Sequence, residues 1–204
     1  MSQIALPLKA GASGPSRIVL GNANAAALEA LTTPQTWPFR TAVLAGPPRS
    51  GKSLLARWFA ETSGGEAIDD ADRMDETELF HRWNRAQEAA HPLLLVTGQH
   101  EGGWQIALPD LASRIKAALQ LDVGVPDDAM MADLILLHAE QRGLLLGPGS
   151  GAYLAARCER SHLGAEQVVE AIDRLSLERK APPGPAIWRE ALEQLLGPDE
   201  PRLI

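Results

Sequence analysis

Eight consecutive residues, Gly46-Pro47-Pro48-Arg49-Ser50-Gly51-Lys52-Ser53, follow a short apolar run, Thr41 to Ala45. They precede Leu54, Leu55, Trp58 and Phe59, which recur at helical spacing. The two glycines permit a tight loop whose backbone N–H groups turn inward, and the start of the helix adds partial positive charge, so the segment suits phosphate oxygens. A lysine and then a hydroxyl residue directly after the second glycine have no packing rationale. They fit a loop in which Lys52 reaches β- and γ-phosphates and Ser53 ligates Mg²⁺. The motif G-x-x-x-x-G-K-[ST] is complete and lies between a predicted strand and a predicted helix. The nucleotide-binding set is Gly46, Pro47, Pro48, Arg49, Ser50, Gly51, Lys52, Ser53 and Leu54, with ADP or ATP and Mg²⁺ as the cofactors.

A phosphate loop of this kind needs an acidic residue on a neighbouring strand tip, and Asp69 and Asp70 end a short predicted strand, Glu66 to Asp70. Asp69 suits the metal, and Asp70 could polarise an attacking water as a general base. The same residues with Asp72 also read as a solvated acidic turn. Thr97 closes the apolar run LLLVTG, where its hydroxyl could stand beside a γ-phosphate or simply end a strand. Arg114 falls on a predicted helix. From the residues alone it reads as a surface arginine, although a planar guanidinium offered across an interface to another molecule's γ-phosphate would stabilise transition-state charge.

The elements that must carry these residues alternate. A helix is expected over Ala25 to Leu31, capped by Asn22 or Asn24, after an apolar run from Ile18. Glu76 to Ala90 is amphipathic with Leu79, Phe80 and Trp83 on one side, Leu93 to Val96 reads as a buried parallel strand, Leu108 to Ala118 as a helix, and Leu119 to Val125 as a further candidate strand. Repeated βα units imply an open parallel sheet with right-handed crossovers. After Pro126 only helices are expected: Asp127 to Arg142, Ser150 to Arg160, Gly164 to Arg179 and Ile187 to Leu196. The expected organisation is a peptide at 1–9, a linker at 10–16, an α/β nucleotide-binding domain at 17–126 and a small all-α lid at 127–204.

The chain has 204 residues, 45% hydrophobic and 22% charged, with net charge −7. It is long enough for one domain and a satellite, and ordinary enough to pack a core. The negative charge argues against a surface that holds nucleic acid by counterion release, so any association with DNA is expected to be indirect. Cys158 is the only cysteine, which excludes an intrachain disulfide and a CxxC zinc site. It reads as core, and the five histidines read as surface residues without metal-ligand spacing. No apolar run approaches the roughly 18 residues of a membrane helix, and no signal-peptide pattern opens the chain, so a cytoplasmic protein is expected. Gln3-Ile4-Ala5-Leu6-Pro7-Leu8 is an apolar tail that could dock in a groove, with Leu6 and Leu8 in pockets and Pro7 fixing the backbone; the alternative is a frayed terminus.

With these residues assembled, the chain resembles the DnaA family of AAA+ ATPases, and within it the Hda-type regulators. The likeness lies in QIALPL (3–8), IVLGNAN (18–24), GPPRSGKS (46–53), IDDAD (68–72), LLLVTG (93–98) and LPDLASRI (108–115). The resemblance implies that Gln3, Ile4, Ala5, Leu6, Pro7 and Leu8 bind the sliding clamp of the replicative polymerase. It further implies that Asp69 and Asp70 form the acidic pair beside the phosphate loop, that Thr97 holds the sensor 1 position, and that Arg114 is an arginine finger acting in trans. It implies an adaptor on DNA-loaded clamps that stimulates hydrolysis of DnaA-bound ATP and so represses re-initiation. The acidic charge fits such a regulator, since an initiator is expected to need a basic DNA-binding domain after the helical lid.

Two departures from the family pattern matter. Only 16 positions separate Ser53 from Asp69, which leaves no room for an extra strand and helix and predicts a sheet trimmed on that side. The lid segment Ser161-His162-Leu163-Gly164-Ala165-Glu166 lacks the arginine of a sensor 2 motif, Arg160 being a loose substitute, so weak intrinsic turnover or a nucleotide held as ADP is expected. Competing readings are a helicase-loader-like or other DnaA-related ATPase with a different replication partner, and a small-molecule kinase, for which no acceptor motif is visible.

Overall fold

Four short aliphatic runs form the strands of the computed structural model, which describes residues 17–99 and 103–197. The peptide 1–9, the linker 10–16 and His100 lie outside the described residues. The chain divides into two compact units, the first ending at Gly124 and the second beginning at Val125.

In the first unit, β1 (Thr41–Ala45), β2 (Glu66–Ile68), β3 (Leu93–Val96) and β4 (Leu119–Asp122) make one sheet in the order β2-β3-β1-β4. Every pairing is parallel. Alternation along the central strands decides which side chain faces which layer. Ala42, Leu44, Leu94 and Val96 pack with α1 (Ala25–Leu31) and α2 (Lys52–Ser63), where Leu55, Trp58 and Phe59 are buried. Val43, Leu93 and Leu95 point the other way, against Leu79 and Trp83 of α3 (Glu76–Glu88) and Leu111 and Ile115 of α4 (Pro109–Ala117). Both faces of the sheet are therefore covered, as a continuous hydrophobic strand such as Leu93–Val96 requires.

The sheet is trimmed where the short spacing predicts it. Gly64 ends α2 in a left-handed conformation, φ 67°, and β2 begins two residues later. Gly65 has no room for a side chain, because a Cβ there would lie 2.7 Å from both Phe59 Cζ and the Pro92 carbonyl oxygen. Two glycines thus turn the helix directly into the edge strand, and no element stands between them.

Other expectations need correction. Ile18 and Val19 are buried as irregular chain, and the strand expected over Leu119 to Val125 stops at Asp122. Asn24 precedes α1 but does not cap it with its side chain. Its Oδ1 accepts from Gly21 N–H at 3.1 Å and its Nδ2 donates to the Val19 carbonyl at 2.8 Å, pinning the entering chain instead. The strand expected over Glu66 to Asp70 stops at Ile68, since Asp70 takes a left-handed φ of 48° that no strand accommodates.

The second unit is helical: α5 (Asp128–Gln141), α6 (Ser150–Ala155), α7 (His162–Arg179) and α8 (Pro185–Leu196). Asp127 caps α5 by accepting from Met130 N–H at 2.8 Å, and Ser161 caps α7 by accepting from Gly164 N–H at 2.9 Å. Met131, Ile135, Leu154, Val168, Val169 and Ile172 are buried in this unit. The expected helix Ser150 to Arg160 is shorter, because the chain leaves it after Ala155 to reach the Ser161 cap. Cys158 therefore sits in that turn, half-buried rather than in the core, and burial pushes its thiol pKa up. His162, expected at the surface, is buried in the first turn of α7.

Candidate functional site

The loop after β1 takes its shape from its neighbours. A Cβ on Gly46 would come within 3.0 Å of Val123 Cβ and 3.1 Å of the Val123 carbonyl, so a side chain at the residue following β1 would crowd the chain that leaves β4. Arg49 and Gly51 are left-handed, with φ 64° and 83°, and give the sharp turns by which such a loop curls its N–H groups inward. Leu54 and Leu55 N–H both donate to the Gly51 carbonyl at 3.0 Å, which fixes the first turn of α2 directly at the end of the loop.

Lys52 lies inside the loop. Its Nζ donates to the carbonyls of Gly46 at 2.9 Å and Pro47 at 2.8 Å. Burial lowers its pKa below the ordinary lysine value, while Asp69, Asp70 and Asp72 pull it back up. Three carboxylates from the chain after β2 are thus within electrostatic reach of the loop ammonium. Ser53 is exposed at the start of α2. The residues fit a nucleotide with Mg²⁺: a loop lysine, an exposed hydroxyl and nearby carboxylates are the oxygen and ammonium groups such a ligand takes. Magnesium on phosphates needs only one or two protein carboxylates. Among the described residues no group of three or more His, Cys, Asp or Glu could hold a metal by itself.

The acidic residues differ from one another. Asp69 is exposed and its Oδ1 accepts from Asp70 N–H at 3.1 Å. Asp70 is exposed, with Arg73 4.0 Å away. Asp72 is half-buried, and its Oδ2 accepts from Gly98 N–H at 3.3 Å, joining the turn after β2 to the turn after β3. Thr97 is 2% exposed at the end of β3. Its N–H donates to the Leu44 carbonyl at 3.0 Å, which places it beside the end of β1 and the start of the loop. Its hydroxyl donates to the Gly98 carbonyl at 2.7 Å, as in a strand-terminal turn.

Arg114 is not a solvated surface arginine. Its guanidinium carbon lies 4.5 Å from the centroid of the Phe80 ring and 4.3 Å from that of Trp83. Nη1 donates to Asn84 Oδ1 at 2.6 Å. Phe80, Trp83 and Asn84 all belong to α3, on the sheet face opposite α2, so the structure does not bring Arg114 together with the chain's own phosphate loop. Among the described residues no carboxylate pairs with Arg114, and only Nη1 of its guanidinium has a partner. A half-buried guanidinium held by a neutral amide and two ring faces is not paired with a carboxylate among the described residues and has further N–H donors to offer. That arrangement suits an anion brought from outside the chain.

Sequence reasoning missed these partners. Glu76, Phe80, Trp83 and Asn84 stand at i, i+4, i+7 and i+8, one face of one helix. Polar residues interleaved with aromatics on a stripe expected to be core was the available signal. Arg160, the loose substitute in the lid, pairs with Asp128 at the start of α5.

No protein-family model matches the chain, and no curated protein matches it in sequence. Solved structures do. Domain III of the replication initiation protein DnaA from Thermotoga maritima superposes with TM-score 0.69 at 14% identity, over 88% of this chain and 95% of that one. A RuvB variant from the same organism gives TM-score 0.61 at 18% identity, over 88% of this chain and 72% of that one. AMPPCP-bound DnaA from Aquifex aeolicus gives TM-score 0.58 at 16% identity, over 79% and 66%. The chain has the AAA+ fold that these proteins share. No helix among the described residues is long and apolar enough to cross a membrane.

Proposed function

We propose that this protein is a nucleotide-binding regulator of the replication initiator DnaA. It docks on the polymerase sliding clamp through residues 3–8 and offers Arg114 to ATP held by DnaA, which accelerates hydrolysis and represses re-initiation. The observation that carries this reading is the Arg114 guanidinium, fixed by Phe80, Trp83 and Asn84 with no carboxylate partner among the described residues. An arginine so held costs little reorganisation when negative charge develops on a γ-phosphate beside it. Because it stands on the face away from the chain's own loop, its target belongs to another molecule. The superposition with DnaA domain III supports a pairing of two like AAA+ modules, and DNA enters only through the clamp.

The loop 46–53 with Leu54 holds ADP or ATP in this reading. Lys52 leaves the Gly46 and Pro47 carbonyls for the phosphates, and Ser53 and Asp69 hold Mg²⁺. The metal neutralises phosphate charge when bound. Asp70 orients and polarises water, and Thr97 stands at the γ-phosphate end of β3. The second unit lacks a sensor 2 arginine at the matching segment, which favours a long-lived ADP-bound state.

The test is phosphate release from ATP-loaded DnaA in the presence of DNA-loaded clamp. The intact protein accelerates release, and neither Arg114→Ala nor a chain lacking residues 1–9 does so. Acceleration independent of the clamp removes the docking role of residues 3–8, and no acceleration by the intact protein overturns the assignment to DnaA.

A further inference from the structure

The helix that carries Arg114 begins on a carboxylate from its neighbour. Glu76 Oε1 accepts from Ala107 N–H at 2.8 Å and Oε2 accepts from Leu108 N–H at 2.7 Å. Leu108, the residue preceding α4, does not cap the helix with its side chain, and Pro109 contributes no N–H; Glu76 instead holds from α3 the two amides that lead the chain into the helix. Both oxygens of one carboxylate are used, which fixes the direction of the approach as well as its distance.

The same stripe of α3 continues to the arginine. Glu76 lies one turn before Phe80 and two turns before Trp83 and Asn84, and eight residues of helix span about 12 Å. On α4, Leu108 to Arg114 spans about 9 Å, and the arginine side chain makes up the difference. Glu76 therefore holds the start of α4 while Phe80, Trp83 and Asn84 hold the guanidinium further along. If α4 slid or rotated at its start, the six residues to Arg114 would carry the error to the guanidinium, and the ring and amide contacts would lose their geometry.

We infer that Glu76 is a positioning residue for Arg114: its bidentate grip on the Ala107 and Leu108 amides sets the register of α4 against α3 and so aims the guanidinium at a phosphate presented by a partner. The inference rests on the reading of Arg114 as a group that acts in trans. Both carboxylate oxygens of Glu76 are taken up by backbone amides. It acts only through the helix it holds, and a catalytic role is not assigned to it.

The test uses the full chain with Glu76→Gln and Glu76→Ala, and Arg114→Ala as reference. Glutamine keeps one acceptor but points an N–H₂ at the other amide, so the bidentate grip is lost at constant size. Two readouts are taken. The first is the NMR signature of the Arg114 side chain, whose Hδ and Hε resonances are displaced by the Phe80 and Trp83 ring currents. The second is maximal stimulation of ATP hydrolysis on DnaA against the concentration giving half of it. In both Glu76 variants the Arg114 resonances move toward those of free arginine. Maximal stimulation falls about tenfold or more while half-saturation and ADP affinity stay unchanged, the pattern of a misplaced reacting group rather than of lost binding. Arg114 resonances unmoved in Glu76→Gln, or maximal stimulation within twofold of the parent, overturns the inference. If Arg114→Ala retains full stimulation, the functional reading fails instead, and the ring-current shifts still decide what Glu76 does. If Glu76→Ala does not fold, Glu76→Gln decides.

Discussion

The guanidinium of Arg114 stacks 4.3 Å from the Trp83 ring centroid while the Oδ1 of the next residue on α3, Asn84, accepts from its Nη1 at 2.6 Å. A lysine retains the charge at this position but neither the plane nor the fork. Arg114→Lys is expected to abolish stimulation as fully as Arg114→Ala. Its cost in stability is about 1–2 kcal/mol, from two ring contacts weakened at a half-exposed site. Phosphate release and urea unfolding measure the two effects separately, and stimulation retained by the lysine variant would show that charge alone suffices.

Lys52 gives a pH dependence with a definite sign. Burial depresses its pKa in the free protein, and phosphates bound beside it raise that pKa. Between these two values nucleotide binding must take up a proton, so ADP affinity falls as pH rises, by up to about tenfold per pH unit. The decline begins below the ordinary lysine pKa. For folding the same depression means that the unfolded chain binds the extra proton, so this group's contribution to stability increases as pH rises from the native value to the unfolded one. Titration calorimetry in buffers of different ionisation enthalpy measures the proton uptake directly, and Lys52→Ala removes it.

Much of this architecture was legible because it is local. The run Thr41–Ala45, the glycine spacing of 46–51 and the helical recurrence of Leu55, Trp58 and Phe59 each carry their own signal, and β1 and α2 form as read. The trimmed edge of the sheet was countable from the distance between Ser53 and Asp69. What escaped depends on contacts remote in sequence. Nothing near Asn24 reveals that its side chain turns back to Val19 and Gly21 rather than capping α1. Arg114 looked solvated because helix arginines usually are. Its partners stand 30 or more positions earlier, on a helix whose apolar stripe conceals Glu76 and Asn84.

The junction between α2 and β2 is expected to tolerate no side chain. In Gly65→Ala the new Cβ would meet Phe59 Cζ and the Pro92 carbonyl at 2.7 Å, one a packed ring and the other backbone, so neither yields cheaply. A loss of about 1–3 kcal/mol follows from overpacking. Gly124→Ala is the control, its nearest neighbour 3.9 Å away, and should change stability by less than about 0.5 kcal/mol. Thermal and urea unfolding of the two variants test the contrast.

Asp70 and Asp72 should separate chemistry from structure. Asp70 is 69% exposed and its pairing with Arg73, itself 80% exposed, spans 4.0 Å, so the pair adds almost nothing to stability. Asp72 ties two loops together through Gly98 N–H. Asp70→Asn is therefore expected to leave stability within about 0.5 kcal/mol and ADP affinity near the parent value at neutral pH, while single-turnover hydrolysis of the chain's own ATP slows as the water loses its base. Asp72→Ala costs about 1–3 kcal/mol, because the Gly98 amide loses a charged acceptor. The two variants also share an electrostatic consequence. Both carboxylates raise the Lys52 pKa, so removing either charge moves the alkaline decline in ADP affinity to lower pH. A slowed turnover in Asp70→Asn without that shift would place Asp70 at the water but away from Lys52, whereas the shift without slowed turnover would reduce Asp70 to part of the field around the loop.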